Sequence, residues 1–296
     1  MTYQEFIHHI ITGVRDALGS DYAVSVQDIV KNNDTHYDGL TILSSRHNLA
    51  PTIYLNHYYH EYQNGSPLTD IICDILTVYR QNRPSEKIDV SFFTDYNRVK
   101  SKIVCKLINY ERNRGLLADV PHYRFLDLAI VFNCLLEAGP SGSATILIRN
   151  QHLHLWSVTR DDLYAIALVN TPRLLRSEFR NMADILKELT ADTDCSSLQE
   201  DASCPMYILS NQYNRNGSVC ILYQNLLKNF AEQLSCDLYI LPSSVHEVLI
   251  IPAAPNTSCR ELSEMVREIN LSQLSKEEVL SDHVYYYSKD TARLTM

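Results

Sequence analysis

Glycine is scarce in this chain, with 8 residues among 296. Neither the dinucleotide-binding pattern GxGxxG nor the phosphate loop GxxxxGK followed by Ser or Thr occurs. In both motifs glycine lets the backbone approach a phosphate closely, so their absence disfavours a nucleotide site of either kind. The nearest approach, Gly139 to Gly142, joins two apolar runs and is typical of a hairpin loop. We expect no cofactor.

The chain also has no excess of basic over acidic residues. The chain has 26 Lys and Arg against 35 Asp and Glu, which gives a net charge of −9. Duplex nucleic acid and anionic membrane surfaces are bound through cationic faces, so we expect neither as a partner. An acidic surface is an ordinary solubility device, and this interpretation is favoured over mimicry of a nucleic acid.

Long hydrophobic runs and paired cysteines are missing too. No apolar stretch approaches the roughly 18 residues of a membrane span. The first residues lack the basic start of a signal peptide. The eight cysteines form no CxxC pair, and several lie inside apolar runs, as reduced thiols do. These features predict a cytoplasmic protein.

The apolar periodicity predicts an α+β fold, with mixed or antiparallel sheets and helices packed on one face. An amphipathic helix is expected over 2–18, and strands over 22–30 and 37–44. The spacing of apolar residues also predicts a helix from about 94 through 108, and a strand at 152–158. We divide the chain into three regions with one polar linker or exposed loop between the last two: 1–124, 125–190 and 204–296, with the linker at 190–203.

The stretch from Met206 to Ala253 carries the densest fold information. An apolar run, an amphipathic run and two further apolar runs follow one another there. With the helix and strand that come after them they give the order β-α-β-β-α-β. This order is the split βαβ layout of ferredoxin-like folds, and we expect it in the C-terminal region.

Several blocks of the sequence resemble a domain-of-unknown-function family of anaerobic Firmicutes, including gut Clostridia. They are SNQYNRNGS, LYILPSSVHEVLIIP, MVREIN, EEVLSDHVYYY, APTIYLNHYYHEYQNG and WSVTRDDLYAIALVNTP. The resemblance covers nearly the whole chain. It implies a bacterial cytosolic setting, and it implies no activity, cofactor or catalytic residue.

Polar groups concentrate where the two central C-terminal strands join. Ser243, Ser244, His246 and Glu247 put hydroxyls, an imidazole and a carboxylate close together, as a nucleophile and its base would require. Residues this close in a turn rarely align for such chemistry, so a turn whose serines satisfy the backbone is favoured.

A second histidine opens the last predicted strand. Asp282 and His283 would lie near His246 and Glu247 if that strand paired with 246–252. Neighbouring residues on a strand point to opposite faces, which leaves two ligands facing one point. That is too few for a metal, and we expect none.

Two further groups are candidates for ligand binding. Asn211 ends a strand in an amide-rich segment, although asparagine also suits turns. Tyr58 and Tyr59 belong to a tyrosine-rich helix that is either a protein-binding surface or part of the packing.

The leading functional hypothesis is a non-enzymatic cytosolic protein-binding or regulatory protein, which binds another protein through a tyrosine-rich surface. The alternative is a metal-dependent or hydrolase-like enzyme with its site near His246 and His283. A shared pocket for these groups would favour the enzyme, and scattered groups beside an exposed apolar patch would favour the binding protein.

Overall fold

The structure is a computed structural model, which describes residues 1–44, 50–83, 91–139, 142–190, 205–254 and 258–296. Two compact units divide the chain, Met1–Phe92 and Phe93–Met296. Residues 93–124 therefore fall in the second unit. The predicted linker at 190–203 lies almost wholly outside the described residues, and the division into three regions stays a prediction.

The first unit packs three helices on a three-stranded antiparallel sheet. Its strands are ordered β1-β2-β3, and Thr2 caps the first helix through a reciprocal pair of bonds with Glu5. The apolar stripe of that helix is buried as predicted. The elements are α1 (Tyr3–Leu18), β1 (Tyr22–Lys31), β2 (Thr35–Ser44), β3 (Thr52–Tyr54), α2 (Leu55–Gln63) and α3 (Leu68–Asn82).

The second unit begins with a four-stranded antiparallel sheet. The long β6 lies at its centre: β4 pairs along one side, and β5 and then β7 pair along the other. Helix α7 (Arg160–Leu174) covers β4. Its Thr171 hydroxyl accepts a hydrogen bond from the Cys105 N–H of that strand. The elements are α4 (Tyr96–Val99), β4 (Ile103–Asn109), α5 (Arg114–Leu117), β5 (His122–Phe125), β6 (Leu128–Gly139), β7 (Gly142–Leu147), α6 (Asn150–Trp156) and α7 (Arg160–Leu174).

Two local predictions are wrong in this part of the second unit. Residues 103–108 form β4 and not a helix: Ile103, Val104 and Leu107 are all buried, so both faces of the strand are apolar and the two-residue period is hidden. Residues 152–156 form α6 and not a strand. Trp156 holds that helix in place by donating its indole N–H to the Phe93 carbonyl at 2.8 Å.

The C-terminal sheet has six antiparallel strands in the order β13-β12-β10-β11-β9-β8. Its middle part contains the predicted β-α-β-β-α-β succession, but the strand order β12-β10-β11-β9 is not that of ferredoxin-like folds, in which the first and third strands are the two central ones. The edge strand β8 pairs with β9 and leads into the helix that follows it. The elements are β8 (Ser177–Asn181), α8 (Met182–Thr190), β9 (Tyr207–Asn211), a 3-10 helix (Gly217–Leu222), α9 (Leu226–Leu234), β10 (Leu238–Leu241), β11 (Val248–Pro252), α10 (Cys259–Ser272), β12 (Tyr285–Ser288) and β13 (Arg293–Thr295).

Helices flank this sheet on both faces, which corrects the expectation of one covered face. Phe230 of α9 packs on Tyr207, a neighbour of Ile250 across the sheet. In contrast, α10 packs in a cluster with Leu249. Ile250 and Leu249 are adjacent on β11 and so face opposite sides.

The topology explains this arrangement. The crossover from β9 to β10 and the crossover from β11 to β12 run across the sheet in the same direction, but they start from antiparallel strands. With one handedness for both crossovers, their helices must lie on opposite faces. The α+β fold class is confirmed. Among the described residues no helix is long and apolar enough to cross a membrane.

Candidate functional site

The segment from Pro242 to Glu247 is an anchored connection. Ser243 and Ser244 are buried, and backbone bonds join the segment to residues 278–281. The Ser244 hydroxyl accepts a hydrogen bond from the His246 N–H at 3.0 Å. The Ser244 hydroxyl therefore satisfies a backbone group, as serines in a turn do.

His246 is held from both ring nitrogens. Its Nδ1 accepts a hydrogen bond from the Asn216 N–H at 3.2 Å, and its Nε2 lies 3.6 Å from Glu278 Oε1. Burial lowers the pKa of His246, while the Glu278 carboxylate opposes that shift. The imidazole is therefore a mostly buried, neutral group at neutral pH.

Glu247 and Glu278 lie near His246 and have opposite pKa shifts. Burial raises the pKa of the Glu247 carboxyl. Hydrogen bonds from Ser275 lower the pKa of Glu278. A raised folded-state pKa gives stability that is lost as the pH rises through it, whereas a lowered one gives stability that is lost as the pH falls.

We therefore expect Glu247→Gln to raise the midpoint of thermal unfolding at pH 7, because the variant removes a half-buried charge. The gain should vanish below about pH 4, where the wild-type carboxyl is protonated. The matched variant Glu278→Gln should lower the midpoint at pH 7 and approach the wild type in acid. Calorimetry at both pH values measures this, and a destabilised Glu247→Gln protein at pH 7 would contradict the assignment.

His283 belongs to a different cluster, centred on the carboxylate of Asp127. That carboxylate is 14% exposed and accepts hydrogen bonds from the Ser281 hydroxyl at 2.7 Å and from His283 Nδ1 at 3.0 Å. The Tyr285 hydroxyl donates to its other oxygen. Three donors on one carboxylate fix the end of β12 to the turn between β5 and β6.

Asp282 has its own partners beside this cluster. Its carboxylate accepts hydrogen bonds from Arg112 at 2.5 Å and from Asn270 at 2.7 Å. The structure thus places His246 with Glu278 and His283 with Asp127. Among the hydrogen bonds and ion pairs of the described residues, none joins the side chain of His246 or Glu278 to that of His283 or Asp127.

The two candidate ligand groups lie in packed surroundings. Asn211 is fully buried, and its amide bonds to the backbone of Tyr213 and Arg215, as in an asparagine turn. Tyr58 is 2% exposed and donates its hydroxyl to Asp74. Tyr59 packs on the core of the first unit and is partly buried.

A pocket that the sequence did not indicate lies in the second unit. This aromatic pocket has a volume of about 320 Å³. Four aromatic and five aliphatic side chains line it, together with Asn225 and Lys228. The lining residues are Phe125, Tyr164, Tyr223, Tyr287, Ile221, Leu222, Leu227, Asn225, Lys228, Ala292 and Leu294.

The tyrosine side chains of the pocket are uncharged, and the ring of Tyr223 is held in place. Tyr223 donates its hydroxyl to the Leu175 carbonyl at 2.5 Å, which locks the ring. Burial raises the pKa of Tyr164, Tyr223 and Tyr287 above the ordinary range of the phenol. These hydroxyls therefore stay protonated at neutral pH and offer neutral donors and acceptors.

The lining includes positive charge at the start of α9. Lys228 lines the pocket in the first turn of α9, and Asn225 precedes that helix in a left-handed conformation without a side-chain capping bond. The first N–H groups of a helix carry partial positive charge, which the ammonium group reinforces. The pocket can accommodate an apolar body with an anionic group at its mouth.

This pocket has no signature in the sequence, because its residues come from five separate segments between 125 and 294. Only the folded β5, α7, α9, β12 and β13 bring them together. Among the described residues, no three His, Cys, Asp or Glu side chains are grouped so that they could hold a metal ion.

Comparison with known proteins gives one match. The sequence model of a family of unknown function, DUF5688, matches residues 3–289. No curated protein and no solved structure matches the chain.

Proposed function

The chain belongs to DUF5688, a family whose function is unknown, and we propose from its geometry that it is a non-enzymatic binding protein for a small molecule. The ligand has an apolar body and one anionic group, and it occupies the aromatic pocket. The observation that carries the proposal is the lining of four aromatic side chains around a volume of about 320 Å³. Small-molecule sites begin at roughly 300 Å³ and combine apolar walls with a few convergent polar groups.

The charge of the ligand follows from Lys228 and the start of α9. An anionic head group gains from Lys228 and from the start of α9, whereas a cationic head group would be repelled by both. The Lys228 Nζ lies 3.9 Å from Oε1 of the exposed Glu232. That distance is at the limit of an ion pair, so the ammonium group can turn towards a bound anion.

The setting of the ligand is the cytoplasm in this proposal. Cys105, Cys134 and Cys220 are buried free thiols, and burial raises their pKa, which keeps them protonated and unreactive. Thiols of this kind suit a reducing compartment.

We expect 4-phenylbutyrate to bind in isothermal titration with a stoichiometry of one and a dissociation constant near 1 mM. Its roughly 12 non-hydrogen atoms, at about 0.3 kcal/mol each, give about 4 kcal/mol. Lys228→Gln should weaken this binding about fivefold, the effect of one partly solvated charge pair. It should leave the weaker binding of 4-phenylbutyramide unchanged.

Two control variants make the result specific. Arg260→Gln removes a cation that, like Lys228, lies in the first turn of a helix four residues before a glutamate, and it should have no effect. Leu294→Trp adds bulk at the pocket and should abolish binding of both probes. Binding that survives Leu294→Trp in a folded protein would overturn the proposal.

A further inference from the structure

A narrow cleft in the second unit lies between the four-stranded sheet and the loop that follows β9. Its volume is about 20 Å³. That space holds one or two particles the size of water and excludes a sugar or a nucleotide. The polar residues that line it are Lys106, Asn133, Thr145, Tyr213, Arg215 and Asn216.

One residue that lines this cleft has a buried polar atom without a partner among the described residues. Asn133 is 8% exposed, and its Oδ1 accepts no hydrogen bond from the part of the chain that the structure describes. Its Nδ2 donates to the Thr145 hydroxyl at 3.1 Å. A half-turn of the amide exchanges these two ends, so that Thr145 donates to the oxygen and the N–H₂ group remains for a ligand.

Two cations accompany that amide. Lys106 extends from β4, and Arg215 extends from a loop in which the Asn211 amide bonds the Arg215 carbonyl at 2.8 Å. Both charges lie near His246, whose pKa is lowered by burial and lowered further by each of them. Glu278 is the carboxylate that interacts with His246 and Arg215.

We propose that this cleft is a binding site for one small monovalent anion, held by Lys106, Arg215 and the amide of Asn133. The ligand is a chloride ion or the carboxylate of a small acid, since the space admits a group of that size. Turned so that its N–H₂ group is the unpaired end, the buried amide donates to the anion, and the two cations that line the same cleft attract it. This site shares no residue with the aromatic pocket, so the two proposals stand independently.

The test measures thermal unfolding and isothermal titration with sodium chloride, formate and phosphate, at an ionic strength fixed with gluconate. We expect a saturable rise in the unfolding midpoint with chloride or formate, and none with phosphate. A response to chloride and formate identifies the site as a general small-anion site, and a response to formate alone identifies it as a carboxylate site. Both results support the proposal.

Variants locate the effect. Lys106→Met with Arg215→Gln should weaken anion binding at least tenfold. Asn133→Asp keeps the shape of the side chain and adds a negative charge, so it should abolish binding. This single variant tests the site independently if the double variant fails to fold. Arg114→Gln, at an exposed ion pair with Glu111, should keep the full response. An equal response in every variant, or a response to phosphate alone, would overturn the proposal.

Discussion

Gly217→Ala is expected to destabilise the second unit by about 3 kcal/mol or more, at the upper end of the usual cost of overpacking. A Cβ atom at this position would lie 2.2 Å from the Ser210 hydroxyl, 2.6 Å from the Asn211 nitrogen and 2.6 Å from the His246 carbonyl oxygen. Two of these atoms belong to the backbone and cannot rotate away. The strand end and the connection before β11 would have to separate.

That separation also breaks hydrogen bonds. The Gly217 N–H and the Ser210 hydroxyl both donate to the His246 carbonyl at 2.8 Å. In a unit of this size, 3 kcal/mol lowers the unfolding midpoint by roughly 6–12 °C. Differential scanning calorimetry measures the shift.

Gly115→Ala is the matched control. Gly115 lies in α5, and a Cβ atom there would meet no atom of the described residues within 4 Å. Alanine is the better helix former by about 1 kcal/mol, so this variant should equal the wild type or exceed it slightly in stability. A Gly217→Ala protein as stable as the Gly115→Ala protein would contradict the close packing of the loop on His246.

Asp127→Ala is expected to cost about 3–5 kcal/mol, the usual loss when one member of a buried charged network is removed. Its carboxylate accepts hydrogen bonds from Ser281, His283 and Tyr285, of which Ser281 and Tyr285 are fully buried. Without that carboxylate two hydroxyl groups lose their acceptor inside the protein. Urea unfolding measures the change in free energy.

Asp119→Ala serves as the control for a surface aspartate. Asp119 pairs with Arg149, and the two side chains are 55% and 43% exposed. An exposed pair contributes at most about 1 kcal/mol. If Asp127→Ala cost no more than Asp119→Ala, the Asp127 cluster would not hold β12 in place.

The sequence predicts elements whose apolar residues share one face. The apolar stripe from Phe6 to Val14 predicts α1, since one side of this helix meets the core and the other meets water. The order of the C-terminal elements is predicted for the same reason. In β4 the reasoning fails, because a strand buried on both faces has no alternation to detect.

The sites were harder to predict than the elements. Had the last strand paired with 246–252, His246 and His283 would share an end of the sheet. Instead β12 pairs with β10, and each histidine lies beside a carboxylate distant in sequence, Glu278 or Asp127. The two covered faces of the C-terminal sheet follow from the strand order, which apolar periodicity does not encode. The aromatic pocket needs contacts between residues as far apart as Phe125 and Leu294, and no local pattern reports them.

The most direct test of the binding function is a crystal structure of the protein with 4-phenylbutyrate. We predict density for the phenyl ring between Tyr164 and Tyr287, with the carboxylate towards Lys228 and the first turn of α9. Density for the probe elsewhere, with the aromatic pocket empty at a concentration that saturates the titration, would contradict the proposed function.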